Sequence, residues 1–147
     1  MSTPWVYDDG GRLAAGYSGK AGDCVTRAVA IATGLPYQQV YDALSEGSRN
    51  ERATKRGKRK ASARDGVHTS RKWFEDYMHM IGWTWTPTMQ IGSGCKVHLR
   101  ADELPPGRII CSVSKHYVAV IDGVIHDTED CSRNGMRCVY GYWRAAL

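Results

Sequence analysis

The chain has no hydrophobic run approaching the ~18 residues of a membrane-spanning helix, so a bilayer partner is not expected. Its start, Met1-Ser2-Thr3-Pro4-Trp5, lacks the basic patch and apolar stretch of a secretory leader, and a cytoplasmic location is the expectation. Cysteine is sparse. Cys24, Cys95, Cys111, Cys131 and Cys138 form no dense framework and are odd in number, which excludes a small disulfide-stapled scaffold. Most of them are expected to be free thiols in a reducing compartment. There is no internal repeat, which argues against a solenoid. Helical and strand-like segments do not alternate, which argues against a doubly wound parallel sheet.

What is present fits one domain over residues 1–147, with 42% hydrophobic and 24% charged residues. The net charge of +5 is concentrated in Arg49, Arg52, Lys55, Arg56, Lys58, Arg59, Lys60 and Arg64, opposed within that stretch only by Glu51. Residues 49–64 read as a solvated, flexible loop. They also offer a contact for nucleic acid or an acidic protein, through charge alone, because no aromatic residue is interleaved for base stacking.

Residues 1–22, rich in Gly, Ser and Asp, read as an irregular lead-in. Asp23 is placed as an N-cap for a helix carrying Val25, Ala28, Val29 and Ala32 on one stripe, with Gly34 as its stop. Pro36 opens a second helix with Tyr37, Val40, Tyr41 and Leu44 at helical spacing, and Gly47 is expected to end it. A third helix is predicted over 69–81, with Trp73, Phe74, Tyr77, Met78 and Ile81 on one face and Gly82 closing it. From residue 83 the pattern turns to strands, at 83–86, 96–100, 108–114, 116–121, 124–128 and 138–143. Helices followed by an antiparallel sheet make the fold class α+β.

Three residues in this frame carry chemistry. Cys24 stands at the start of the first helix, near the positive end of its macrodipole, which favours the thiolate. His116 opens an apolar strand. Asp122-Gly123 between two β-branched runs signals a two-residue hairpin, which pairs Ile121 with Val124, Val120 with Ile125 and Ala119 with His126. That register puts Asp127 on the face of His116 as its diagonal neighbour and turns His126 to the other face. A thiolate, an imidazole and a carboxylate in that relation make a nucleophile, its acid–base partner and the group that orients the partner. The backbone N–H of Cys24 is a natural oxyanion donor. Trp73, Trp83, Trp85, Tyr117 and Trp143 are expected in the core, with cleft walls as their alternative duty. Cys131 and Cys138 flank a Ser-Arg-Asn-Gly turn near His126 in a spacing that fits no familiar zinc pattern, so neither metal nor cofactor is expected.

The Asp23-Cys24 step with Ala28 on its helix, His116 opening a strand and Asp127 ending the next together resemble the papain-like cysteine peptidases. The small bacterial and phage-type members, and relatives of the bacteriocin-processing peptidases, are the most similar in kind. The resemblance spans residues 17–143. It implies a nucleophile-bearing helix packed across an antiparallel sheet that holds His and Asp. It further implies a hydrolase that cleaves a peptide or isopeptide bond of a protein or peptide substrate through a thioester. Members of that family usually place a glutamine about six residues before the cysteine to complete the oxyanion hole. Ser18 stands at that position, no Gln lies between Met1 and Pro36, and Ser18 joins the Cys24 N–H as a candidate donor. The same three residues also suit transglutaminase-like acyl transfer, and a catalytically weak papain-like domain would serve as a binding module.

Overall fold

The computed structural model describes residues 3–18, 22–50, 66–90 and 92–146. Three helices, α1 (Cys24–Thr33), α2 (Tyr37–Asn50) and α3 (Lys72–Met80), precede most of the strands. The strands are β1 (Trp5–Tyr7), β2 (Trp83–Pro87), β3 (Arg108–Val113), β4 (His116–Ile121), β5 (Val124–Asp127) and β6 (Gly141–Ala145). They form a single six-stranded sheet in the order β1-β5-β4-β3-β6-β2. The α+β class is as the sequence implies.

The sheet is mixed, however. β1 runs parallel to β5, pairing Trp5 with Ile125 and Tyr7 with Asp127, where an irregular lead-in was expected. Three exposed residues between Pro4 and Asp8 are too short to show alternation, and their partner lies 120 residues away in sequence. The segment 96–100 is not a strand. Only His98 forms an isolated bridge there, to Cys138.

Each face of the sheet carries its own core. On the helix side Val25, Val29, Tyr37, Val40, Leu44, Phe74 and Met78 pack on Ile110, Tyr117, Ala119 and Trp143. The opposite face buries Ile109, Cys111, Val118, Val120 and Ile125 under Leu99, Cys131 and Val139 from the connecting loops. Strands buried on both faces lose the polar–apolar alternation, which is why 108–113 and 116–121 read as continuous apolar runs. Trp83 and Trp143 take the core duty expected of them.

Two helix boundaries differ from expectation. α2 runs through Gly47, because the Trp73 ring lies on that residue and leaves no room for a side chain. α3 begins at Lys72, after a turn in which the Arg71 N–H bonds the His68 carbonyl. Asp23 precedes α1 but makes no side-chain cap bond. Its buried carboxylate is claimed by Arg27, by Arg12 Nε at 3.3 Å and by the Tyr37 hydroxyl at 2.5 Å. Two guanidinium groups and a phenol offset a buried charge better than one backbone N–H would.

Three of the five cysteines are free, as expected of most of them, and two are paired. Cys95 and Cys138 form a disulfide, with Cα atoms 5.8 Å apart, while Cys24, Cys111 and Cys131 are free thiols. The His98–Cys138 bridge folds the 95–98 segment back on residue 138, a juxtaposition invisible across 43 residues of sequence. Among the described residues, no helix is long and apolar enough to cross a membrane.

Candidate active site

The hairpin between β4 and β5 has the register that the Asp122-Gly123 turn dictates, with Ile121 opposite Val124, Val120 opposite Ile125 and Ala119 opposite His126. Asp122 at φ 49° and Gly123 at φ 80° supply the two left-handed residues of such a turn. His116 and Asp127 consequently share a face, and His116 Nε2 lies 2.7 Å from Asp127 Oδ2. The other carboxylate oxygen, Oδ1, accepts the Thr128 N–H at 2.7 Å and lies 3.4 Å from Arg27 Nη2. His126 points away, its Nδ1 3.3 Å from Asp8 Oδ2.

α1 crosses the sheet so that its first residue meets the start of β4. The thiol of Cys24, half-buried, hydrogen-bonds the His116 ring and accepts the backbone N–H of Tyr117. Lys115, at φ 56°, makes the tight β3–β4 turn just before His116. Arg137 braces that turn by donating to the Ser114 carbonyl at 2.5 Å and to the Cys131 carbonyl at 3.2 Å.

The electrostatics follow from these contacts. Burial works against the Cys24 thiolate, but the His116 ring, the Tyr117 N–H and the Arg27 charge outweigh it and hold the thiol below its ordinary value of 9.0. Burial likewise opposes a charged His116. Hydrogen bonds to Asp127, Cys131 and Cys24 overcome it, and the imidazole is pushed up to about 11. Burial raises Asp127, yet His116, the Thr128 N–H and Arg27 together keep its carboxyl below the usual carboxylate range. Together these contacts favour a thiolate–imidazolium pair backed by a carboxylate.

Cys24 and His116 stand where two open cavities meet. One, of about 760 Å³, is lined by Tyr7, Asp9, Tyr17 and Glu129 among others, with Ser18 on its wall. The other, of about 550 Å³, is lined by Val25, Val67, Ser112 and Tyr117. Ser18 is exposed, and its carbonyl accepts the Arg12 guanidinium at 3.1 Å. Of the aromatic residues weighed as cleft walls, Tyr117 lines the smaller cavity beside Cys24, and Trp85 and Trp143 line a separate hollow of about 220 Å³. Trp73 instead packs on Gly47 and edge-on to Phe74. The basic residues Arg52, Lys55, Arg56, Lys58, Arg59 and Lys60 lie outside the described residues.

Two groups here escape the sequence reading. Arg27 ties the Asp23 carboxylate to Asp127, linking the cysteine's helix to the hairpin. Its position four residues after Asp23 was the available signal. Cys131 is not grouped with Cys138 and His126, since Cys138 is bonded to Cys95 and His126 faces away. It sits instead with its thiol against His116, buried beside Asp127. His116, Asp127 and Cys131 are the described residues whose donor atoms are close enough to share a metal ion. No protein-family model, curated protein or solved structure matches the chain.

Proposed function

We propose that this chain is a papain-like cysteine hydrolase that cleaves a peptide or isopeptide bond. The observation that carries the reading is His116, held by Asp127 at 2.7 Å on Nε2 while its ring also meets the Cys24 thiol between two cavities. With Nε2 engaged, Nδ1 is the nitrogen that exchanges a proton with sulfur. Cys24 Sγ attacks the carbonyl carbon, and the Cys24 N–H faces the developing oxyanion. As the C–N bond breaks, His116 gives its proton to the departing amine, leaving a thioester on Cys24. Water, deprotonated by His116, then releases the acid and restores the thiol.

An ordinary thiol with a pKa near 9 is only about 1% ionised at pH 7, so selective reaction at neutral pH diagnoses an activated cysteine. Iodoacetamide is expected to label Cys24 first near pH 7, ahead of the buried Cys111 and Cys131. Because Cys111 and Cys131 are buried, the diagnostic is the rate: His116→Ala should slow alkylation of Cys24 at pH 7 and shift it to higher pH, and an unchanged rate would count against the reading. Turnover of a fluorogenic peptide-amide library should fall by roughly 10⁴-fold or more in Cys24→Ala.

That no Gln lies between Met1 and Pro36 favours one second reading, a catalytically weak domain that binds rather than cuts. It is told apart by the same assay, through turnover indistinguishable from Cys24→Ala. An acyltransferase would instead appear as product captured by an added primary amine in place of water.

A further inference from the structure

We infer that His116, Asp127 and Cys131 form a binding site for a thiophilic divalent cation such as Zn²⁺, on the side of the imidazole remote from Cys24. Their donor atoms all lie within 4.8 Å of one another. One imidazole, one carboxylate and one thiol are a donor set suited to tetrahedral zinc, with a fourth position left for water. Tetrahedral bonds of about 2.0–2.3 Å put donors roughly 3.5 Å apart. Separating Nε2 from Oδ2, now 2.7 Å apart, by less than about 1 Å makes the space.

The surroundings favour this use. Asp127 Oδ1 is already held by the Thr128 N–H and by Arg27, which fixes the carboxylate and leaves Oδ2 to turn to the ion. Cys131 and Asp127 are 5% and 3% exposed, so both side chains are largely shielded from bulk water. His116 and Thr128 line the larger cavity, which gives a route in from solvent. Arg137 anchors the Cys131 backbone through its carbonyl, so the third donor is held in place. The ion takes the place of the proton that His116 shares with Asp127, and Cys131 gives up its thiol proton to solvent. Binding therefore withdraws Asp127 from the imidazole and acts as an off state for whatever chemistry the ring performs. The site itself does not depend on Cys24 being a nucleophile.

The test is a calorimetric titration of the full chain with ZnCl₂ in buffer free of reductant, beside Cys24→Ser and Cys131→Ser. One equivalent should bind the wild type in the micromolar range or tighter, and Cys24→Ser should stay within about threefold. Cys131→Ser should weaken binding on the order of 100-fold or more. Absence of uptake by the wild type, loss of zinc in Cys24→Ser, or retention in Cys131→Ser would overturn the site. Should Cys131→Ser not fold, Co²⁺ added to Cys24→Ser protein decides. A thiolate-to-cobalt charge-transfer band supports the assignment and its absence refutes it. Because these readouts are binding and absorption, a failed zinc site and a failed hydrolase give different results.

Discussion

Asp127 divides its two oxygens between two tasks, and the division makes its amide variant informative. Oδ1 must accept from Thr128 and Arg27, so in Asp127→Asn the amide nitrogen is forced toward His116. The ring then has to present a bare Nε2, which moves its proton to the nitrogen facing Cys24 and removes the carboxylate that stabilises the imidazolium. Turnover should drop by about 10²- to 10⁴-fold, and the pH at which Cys24 becomes alkylatable should rise toward 9. In the unaltered protein, turnover should climb as pH rises through the lowered Cys24 value. It should then hold until it falls as His116 loses its proton near 11, a profile read from initial rates. Cys24, His116 and Asp127 were legible in sequence because each has a local signature: a helix start, a strand start and a turn-fixed register. Cys131 was not, because its place behind the imidazole depends on a loop path that Arg137 sets through the Ser114 carbonyl. Arg27 was missed for the same reason, since its second partner lies 100 residues on.

Among the elements, the β4–β5 hairpin was the most readable, since two left-handed residues at a two-residue turn leave one register. Helix ends were less so. A glycine read as a stop can equally be a contact, and Gly47 is a contact. A Cβ built there would lie 2.3 Å from the Trp73 ring. Gly47→Ala would gain about 1 kcal/mol of helix propensity, but the crowding of α2 against α3 costs about 1–3 kcal/mol. The expected outcome is a net destabilisation of roughly 1 kcal/mol, measured as a lower urea midpoint with unchanged slope. A midpoint raised by the full propensity gain would mean that the Trp73 ring steps aside at no cost. β1 was illegible because its pairing is parallel and its length is three residues, below what any periodicity can reveal.

For the molecule as a whole, the sheet face opposite the helices is roofed by loops, and the Cys95–Cys138 bond ties two of them together. Closing a loop of that length contributes about 2–4 kcal/mol through the unfolded chain. Dithiothreitol, or Cys95→Ser, should therefore lower the melting temperature by roughly 6–12 °C. An equal melting temperature with and without reductant would show that the bond is not stabilising. The fold class was readable from element order, whereas this cross-link and the first strand depend on encounters between distant segments. β1 has a further consequence for biosynthesis. Residues 5–7 leave the ribosome well before their neighbours at 125–127, which are made 120 residues later. At about 5–20 residues per second, the nascent chain waits on the order of ten seconds before that edge can close. The Asp8 amide then bonds the Asp127 carbonyl, so the carboxylate's own backbone is clamped only after residue 127 has been made. A chain stalled before that point carries Cys24 and its helix without the carboxylate that holds His116.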